Sequence, residues 1–293
     1  MLSIDLKSKS SLEILEVFES LSLKPKEMLE VEILESDLDS FGIKSFVDLA
    51  QIFFLKMLLP LQKDDKTIVL RFSKLDESNS FHKSQQSSEK YGVGSEFFSI
   101  DKTEQFSFLY HYKKALEFVG LKGKRQILNL GINRGDEFRV IEQMLEKELF
   151  DKKSFVGVDY CASAIEHAKK ELNYPNAEFI CHDINALDEL NLAKSDLLIS
   201  IGTLQSSSLS FNASFMHIYQ NFIEDGGAIV LGFPNSRWCD GEMVYGAKAP
   251  NYAFSEMSLV LKDIHFCKKY LQQKKYRVVI TGKDYLFLSA RKI

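Results

Sequence analysis

Apolar residues recur along this chain in two rhythms. In QILNL, SFVGVD, AEFICHD, SDLLIS and GAIVLGF they form short runs of strand length. Between these runs, EFRVIEQMLEKEL, ASAIEHAKKEL and ASFMHIYQNFI space apolar residues three and four apart, which is a helical period. The alternation starts at residue 126 and predicts a parallel sheet with helices on both faces. A long helix, SEMSLVLKDIHFCKKYLQQ, then leads into YRVVIT and YLFLSARK, which are joined at Gly282–Asp284. That link is too short for a crossover, so the last two strands must be antiparallel. The predicted class is α/β, a doubly wound sheet that is mostly parallel and ends in an antiparallel hairpin.

Residues 1–75 follow neither rhythm steadily. SSLEILEVFESL and SFVDLAQIFFLKMLL have helical spacing, with Ser45 a plausible N-cap of the second, and TIVLRF reads as a strand. AQIFFLKMLLPLQ is the most apolar segment, but it is too short to span a bilayer and contains Lys56 and Pro60. It reads as a buried helix. Glu77–Ser95 is rich in serine and reads as a mobile linker or loop. The next stretch crowds Phe97, Phe98, Phe106, Phe108, Tyr110 and Tyr112 together, either as a core helix or as a cover over a binding site. The expected division is a small helical or α+β accessory unit over 1–75, a linker, lid and covering helix over 76–120, and a main domain over 121–293.

Composition narrows the class little. The chain has 293 residues, 45% hydrophobic and 27% charged, with a formal net charge of −4. That balance does not mark the whole chain as a nucleic-acid binder. Residues 1–60 carry 6 basic and 11 acidic side chains, which argues against nucleic acid on that part. Cys161, Cys181, Cys239 and Cys267 lie far apart without a CxxC pair, so reduced thiols are expected and a zinc site is not. MLSIDLKSKSSLEIL lacks the apolar block of a signal peptide, and the expected location is cytoplasmic, away from the membrane.

The chemistry gathers at strand ends. Gly131 and Gly135 stand between QILNL and the helix that follows. Glycine tolerates left-handed backbone and lets a ligand come close, and a helix start offers free N–H groups. Doubly wound sheets bind ligands at the carboxyl ends of their strands. The pair therefore suits a nucleotide-like cofactor, or serves tight packing alone. Asp159 ends the second strand. A carboxylate there can accept hydrogen bonds from both hydroxyls of a ribose, or cap the next helix. Asp183 ends the third strand, where it can accept from an adenine amino group or cap a loop.

On these residues the chain resembles the class I S-adenosylmethionine-dependent methyltransferases over residues 126–293. NLGINRG stands where that family carries D/ExGxGxG, and VGVD with YCASAIEHAKK resembles its second strand and following helix. FICHDI resembles the adenine-contacting turn, and EDGGAIVLGFPN the turn into strand five. The resemblance implies a Rossmann-like fold and methyl transfer from S-adenosylmethionine. It implies a cofactor held by Asn129, Gly131, Asn133, Gly135, Asp159, Tyr160, Asp183, Ile184, Ser200 and Gly202. Two positions differ from the family: Asn129 replaces the first-strand acid and Asn133 the middle glycine. Asparagine accepts left-handed geometry, but Asn129 cannot neutralise the methionine ammonium. Arg134 and Asp136 are also unusual in this turn. A protein that binds the cofactor and works only as an interaction module is the competing reading. A nicotinamide dehydrogenase fits poorly, because Asn133 and Asp136 occupy two glycine places of GxGxxG.

The acceptor is less legible. SIGTLQ after strand four lacks the D/N/S-P-P-Y/F motif of base-amine methyltransferases, and no Pro-Cys pair is present there. A small-molecule acceptor is expected, with RNA or protein acceptors open. FPNSRWCDGEMVYGAKAPNYAF is long for a loop. It reads as a substrate-facing insertion, with Arg237 pairing an acceptor carboxylate or phosphate, Trp238 as a wall and Tyr245 and Tyr252 nearby, or else as plain surface. His111 and His182 are the candidate bases, and His217 reads as structural. From Phe266 onward 8 basic residues face 1 acidic one, which makes either a phosphate surface or a solvated face.

Overall fold

The computed structural model describes residues 1–78, 89–206, 208–246 and 257–293. It falls into two units, Met1–Lys83 with Arg237–Tyr245, and Ser84–Ser236 with Gly246–Ile293. The smaller unit contains β1 (Leu2–Asp5), α1 (Ser11–Ser20), β2 (Met28–Leu34), α2 (Glu35–Ile52), β3 (Leu55–Gln62) and β4 (Thr67–Lys74). Its sheet runs β1-β2-β4-β3, with only β1 and β2 parallel. MLEVEIL alternates, and that period of two sends Leu29, Val31 and Ile33 into a core with Phe18 and Phe72. A capping box starts α1: Ser10 Oγ accepts from Glu13 N, and the Glu13 carboxylate accepts from Ser10 N.

Three expectations for this unit need correction. The apolar run ending in LKMLLPLQ is not helical throughout, because α2 stops at Ile52 and Leu55–Gln62 pairs with β4 as an edge strand. Phe54, at φ 54°, turns the chain between the two. Ser45 lies inside α2, where its hydroxyl donates to the Phe41 carbonyl, while the Asp37 carboxylate accepts from Leu34 N at the helix start. The strands β1 and β2 were not expected at all.

The larger unit begins with α3 (Phe106–Phe118) and proceeds as β5 (Gln126–Leu130), α4 (Asp136–Met144), β6 (Ser154–Asp159), α5 (Ala162–Leu172), β7 (Ala177–Cys181), β8 (Ser195–Ile201), α6 (Phe211–Phe222) and β9 (Ile223–Pro234). A short hairpin, β10 (Ser236–Cys239) and β11 (Glu242–Tyr245), follows in the chain, and from Arg237 to Tyr245 it belongs to the smaller unit. Then come α7 (Ser258–Gln273), β12 (Tyr276–Gly282) and β13 (Tyr285–Lys292). The sheet order is β12-β13-β9-β8-β5-β6-β7. Strands β5 to β9 are parallel, and β13 runs antiparallel to both β9 and β12. This is the doubly wound α/β sheet with its closing hairpin. The helix expected over EFRVIEQMLEKEL is broken at Leu145, and a single turn resumes at Lys147–Phe150.

The central strands β5, β8 and β9 bury both faces, so successive residues serve opposite layers. Ile127, Phe155, Leu197 and Ile199 pack under Phe108 and Tyr112 of α3, Phe138 and Ile141 of α4 and Ile165 of α5. Leu128, Leu130, Val158 and Leu198 face Phe215 and Ile218 of α6 and Ile264, Cys267 and Leu271 of α7. Strand order reverses between β5 and its neighbours β6 and β8, and a crevice opens at such a reversal. Among the described residues, no helix is long and apolar enough to cross a membrane, and no cluster of His, Cys, Asp or Glu could hold a metal.

Candidate functional site

The turn after β5 is built by packing as well as by backbone need. Gly131 has φ 81° and its N–H donates to the Val158 carbonyl at 2.8 Å. A Cβ on Gly131 would lie 1.8 Å from Thr203 Oγ1. Gly135, at φ 86°, opens α4 and meets Leu172 Cδ1 in the same way. Asn133 sits between them at φ 46°. Gly131→Ala is expected to lower unfolding free energy by about 3 kcal/mol, from left-handed strain plus overpacking. Urea denaturation followed by circular dichroism measures this, and a loss under about 1 kcal/mol would mean that the turn relaxes freely.

Asp159 closes β6 only 6% exposed. Its Oδ2 accepts from Asn133 N at 2.9 Å and its Oδ1 from Cys161 N at 3.0 Å. One carboxylate thus ties the glycine turn to the start of α5. Burial pushes this carboxyl above its ordinary range, and the two backbone donors pull it back. On the adjacent strand β5, Asn129 is 1% exposed, and among the described residues neither its Oδ1 nor its Nδ2 has a hydrogen-bond partner. Ser200, on β8, donates to the Leu130 carbonyl at 3.0 Å. Gly202 has φ 74°, and its Cα faces Pro234 and the ring of Tyr285. Asp183 lies exposed two residues past the end of β7 and accepts from Asn185 N at 2.9 Å, so it caps the turn Ile184–Leu190. Tyr160 is 42% exposed. Asn129, Gly131, Asn133, Gly135, Asp159, Tyr160, Asp183, Ile184, Ser200 and Gly202 therefore stand at or just beyond the tips of the neighbouring strands β7, β6, β5 and β8.

Of the acceptor candidates, His182 adjoins Asp183, and its backbone N–H donates to the Asp159 carbonyl at 2.9 Å. His111 lies on α3, edge-on to Tyr110 at 5.2 Å. His182 Nε2 meets the Ala186 carbonyl at 2.9 Å, closing the turn after β7, with Glu189 at 3.6 Å. Arg237 belongs to the smaller unit, with its guanidinium 4.8 Å over the ring of Phe54. Its segment is a hairpin, and an open loop is the wrong description of it. The turn is Asp240–Gly241, both at positive φ, and Asp-Gly is a strong hairpin signal that was legible in the sequence. Tyr252 lies outside the described residues.

Sequence reasoning missed a charged cluster around the first turn of α4. Arg134 reaches Asp136 at 3.0 Å and Asp101 at 3.1 Å, and Arg139 reaches Asp136 at 3.4 Å. Lys102 lies 2.7 Å from Glu137, which is 2% exposed. Burial draws the Lys102 ammonium downward, but Glu137 together with Tyr285 and Asp136 outweighs it and the net shift is upward. For Asp136, burial and then the Glu137 charge push the carboxyl up to about 6 despite the nearby cations. The native state then holds this proton longer than the unfolded chain does. The stability it supplies is complete below the unfolded value of about 4 and is lost as pH rises to about 6. Asp136→Asn should flatten that slope by about 2 kcal/mol between pH 4 and 6, read from denaturation midpoints of the two proteins.

The sequence model of a methyltransferase-domain family matches residues 123–282. No curated protein sequence matches the chain. Among solved structures, an O-methyltransferase family protein from Burkholderia thailandensis is 10% identical with a TM-score of 0.45, covering 63% of this chain and 55% of that one. An S-adenosylmethionine-dependent methyltransferase from Aquifex aeolicus is 13% identical at a TM-score of 0.42, covering 62% and 89%. A magnesium protoporphyrin IX methyltransferase from Synechocystis PCC 6803, solved with S-adenosylmethionine bound, is 15% identical at a TM-score of 0.41, covering 69% and 88%.

Proposed function

This chain belongs to the S-adenosylmethionine-dependent methyltransferase family, and on that footing we propose that its acceptor is a small molecule and that the strand tips of the larger unit form its cofactor seat. The protein is an enzyme, and its cofactor is S-adenosylmethionine. Bound there, the cofactor would supply a methyl group already activated on a sulfonium.

One observation carries the seat. A buried carboxylate, a left-handed glycine turn and an unpartnered buried amide stand on two adjacent strand tips, at Asp159, Gly131 and Asn129. An amide buried without a partner costs roughly 1–3 kcal/mol, so it is suited to meet a polar ligand group. Asn129 would hold the methionine end of the cofactor. Asp159 would take the ribose hydroxyls on the lone pairs that its backbone donors leave open, and Asp183 with Ile184 would meet the adenine edge. In-line transfer asks the protein to align acceptor and methyl and to exclude water. An acceptor without a proton at the reacting atom needs no base, and His182 is already engaged in its turn.

A small acceptor is favoured over RNA by how the C-terminal cations are used. Arg277 and Arg291 lie over the ring of Phe118, Lys274 over Tyr270 and Lys292 over Tyr276, where Lys292 also pairs with Asp225 at 2.8 Å. Cations drawn onto rings and a carboxylate of the chain itself are less free to follow a phosphate track. The test supplies S-adenosylmethionine labelled on its methyl group, together with a cell extract split into small-molecule, RNA and protein fractions. Label is expected in the small-molecule fraction. Label confined to RNA or protein overturns the acceptor class, and an absence of S-adenosylmethionine binding by calorimetry overturns the seat.

A further inference from the structure

Residues 89–101 were read from sequence partly as a mobile linker, yet they dock on the turns after β5 and β6 at two places. At the first, Asn133 Nδ2 donates to the Tyr91 carbonyl at 2.8 Å. Arg134 donates to the Phe98 carbonyl at 3.0 Å and to the Asp101 carboxylate at 3.1 Å. At the second, Ser163 Oγ accepts from Val93 N at 3.0 Å and donates to the Glu89 carboxylate, which also accepts from Cys161 Sγ at 3.4 Å. Gly92 passes so close to the start of α5 that a Cβ would lie 2.3 Å from Ser163 Oγ and 2.9 Å from Cys161 Sγ. Aromatic rings fill the space between: Tyr91 stands perpendicular to Tyr160 at 6.2 Å and to Phe97 at 4.9 Å, and Phe98 meets His167 at 4.8 Å.

The first clasp uses the side chains that make GINRGD unlike an all-glycine turn. Asn133 and Arg134 put a donor amide and a guanidinium where glycine offers neither. With the strap docked, Asp159 is only 6% exposed. Tyr91 stands against Tyr160, the residue that follows Asp159, and its carbonyl is held by Asn133, whose N–H donates to the Asp159 carboxylate. The strap thus lies against both residues whose N–H groups donate to the Asp159 carboxylate, Tyr91 against Asn133 and Gly92 against Cys161.

We propose that residues 89–101 are a gate over the ribose end of the cofactor seat, latched by Asn133 on one side and Ser163 on the other, which lifts to admit the adenosyl group and closes again over it. This rests on the cofactor seat described above. The gate equilibrium limits entry: ligand binds only the lifted fraction, so the apparent association rate cannot exceed the rate of lifting.

Stopped-flow mixing of the full chain with S-adenosylhomocysteine, followed by intrinsic fluorescence, tests this. For the wild-type chain, the observed rate should level off as ligand concentration rises. Asn133→Gly keeps a backbone that favours glycine, and Ser163→Ala keeps a helix start, so both variants fold. Each should raise the plateau about fivefold, the effect of one lost hydrogen bond on the opening equilibrium. A rate that climbs linearly in the wild-type chain with the same slope in both variants overturns the gate. So does an effect in Asn133→Gly alone, because Asn133 would then act by touching the ligand itself. A wild-type chain that binds no S-adenosylhomocysteine overturns the seat and the gate together, whereas normal binding without a plateau overturns the gate only.

Discussion

Asp159→Asn should weaken S-adenosylmethionine binding on the order of 100-fold, read by titration calorimetry. Two losses combine. The ribose hydroxyls give up a charged acceptor, and hydrogen bonds to charged groups contribute about 1.5–3 kcal/mol each. The scaffold also changes, because both carboxylate oxygens already accept backbone N–H groups, from Asn133 and Cys161. Asparagine has one carbonyl oxygen, so its amide group must face one of those donors. The glycine turn and the start of α5 then lose their shared tie even before ligand arrives. Unchanged affinity in this variant would show that the adenosyl group does not lie across the β6 tip.

The second large effect concerns the Lys102–Glu137 pair under the same turn. Glu137→Ala should destabilise the larger unit by about 3 kcal/mol, the lower end for breaking a buried pair, since Lys102 keeps 17% of its side chain exposed. The cost arises from the ammonium left behind more than from the contact removed. A Lys102→Met, Glu137→Met double variant should therefore recover most of the loss, because similar apolar groups often replace a buried ion pair without penalty. Denaturant unfolding of the single and double variants measures both. A double variant as weak as Glu137→Ala would mean that the carboxylate does more than neutralise Lys102, such as holding the N-terminal turn of α4 through its charge.

The sheet of the larger unit was legible because one rhythm repeats: strand-length apolar runs at β5, β6, β7, β8 and β9 alternate with helical ones. Asp159 and Gly131 were legible because the topology puts strand ends together wherever that rhythm holds. The strand β3 was not. LKMLLPLQ carries as much apolar character as a helix, and only its partner β4 decides that it is an edge strand, with Leu59 84% exposed. A linker, lid and covering helix were expected over 76–120, but the contacts that dock residues 89–101 were hidden for another reason. Glu89, Tyr91 and Gly92 lie in a polar stretch whose local pattern says loop, and their partners Asn133 and Ser163 are far off in sequence. The segment around Arg237 was read as open loop, although Asp240–Gly241 marks a hairpin turn.

That hairpin has a consequence for how the chain matures. Cys239 and Val244 complete a small apolar cluster with Leu75 and Phe54, Asp240 accepts from Asp76 N at 3.2 Å, and Lys56 pairs with Glu242 at 2.6 Å. The N-terminal unit is thus finished by residues made long after its own strands. On the ribosome it must wait, with part of its surface uncovered, until Tyr245 has emerged. A fragment ending near residue 78 would carry the same uncovered patch for good.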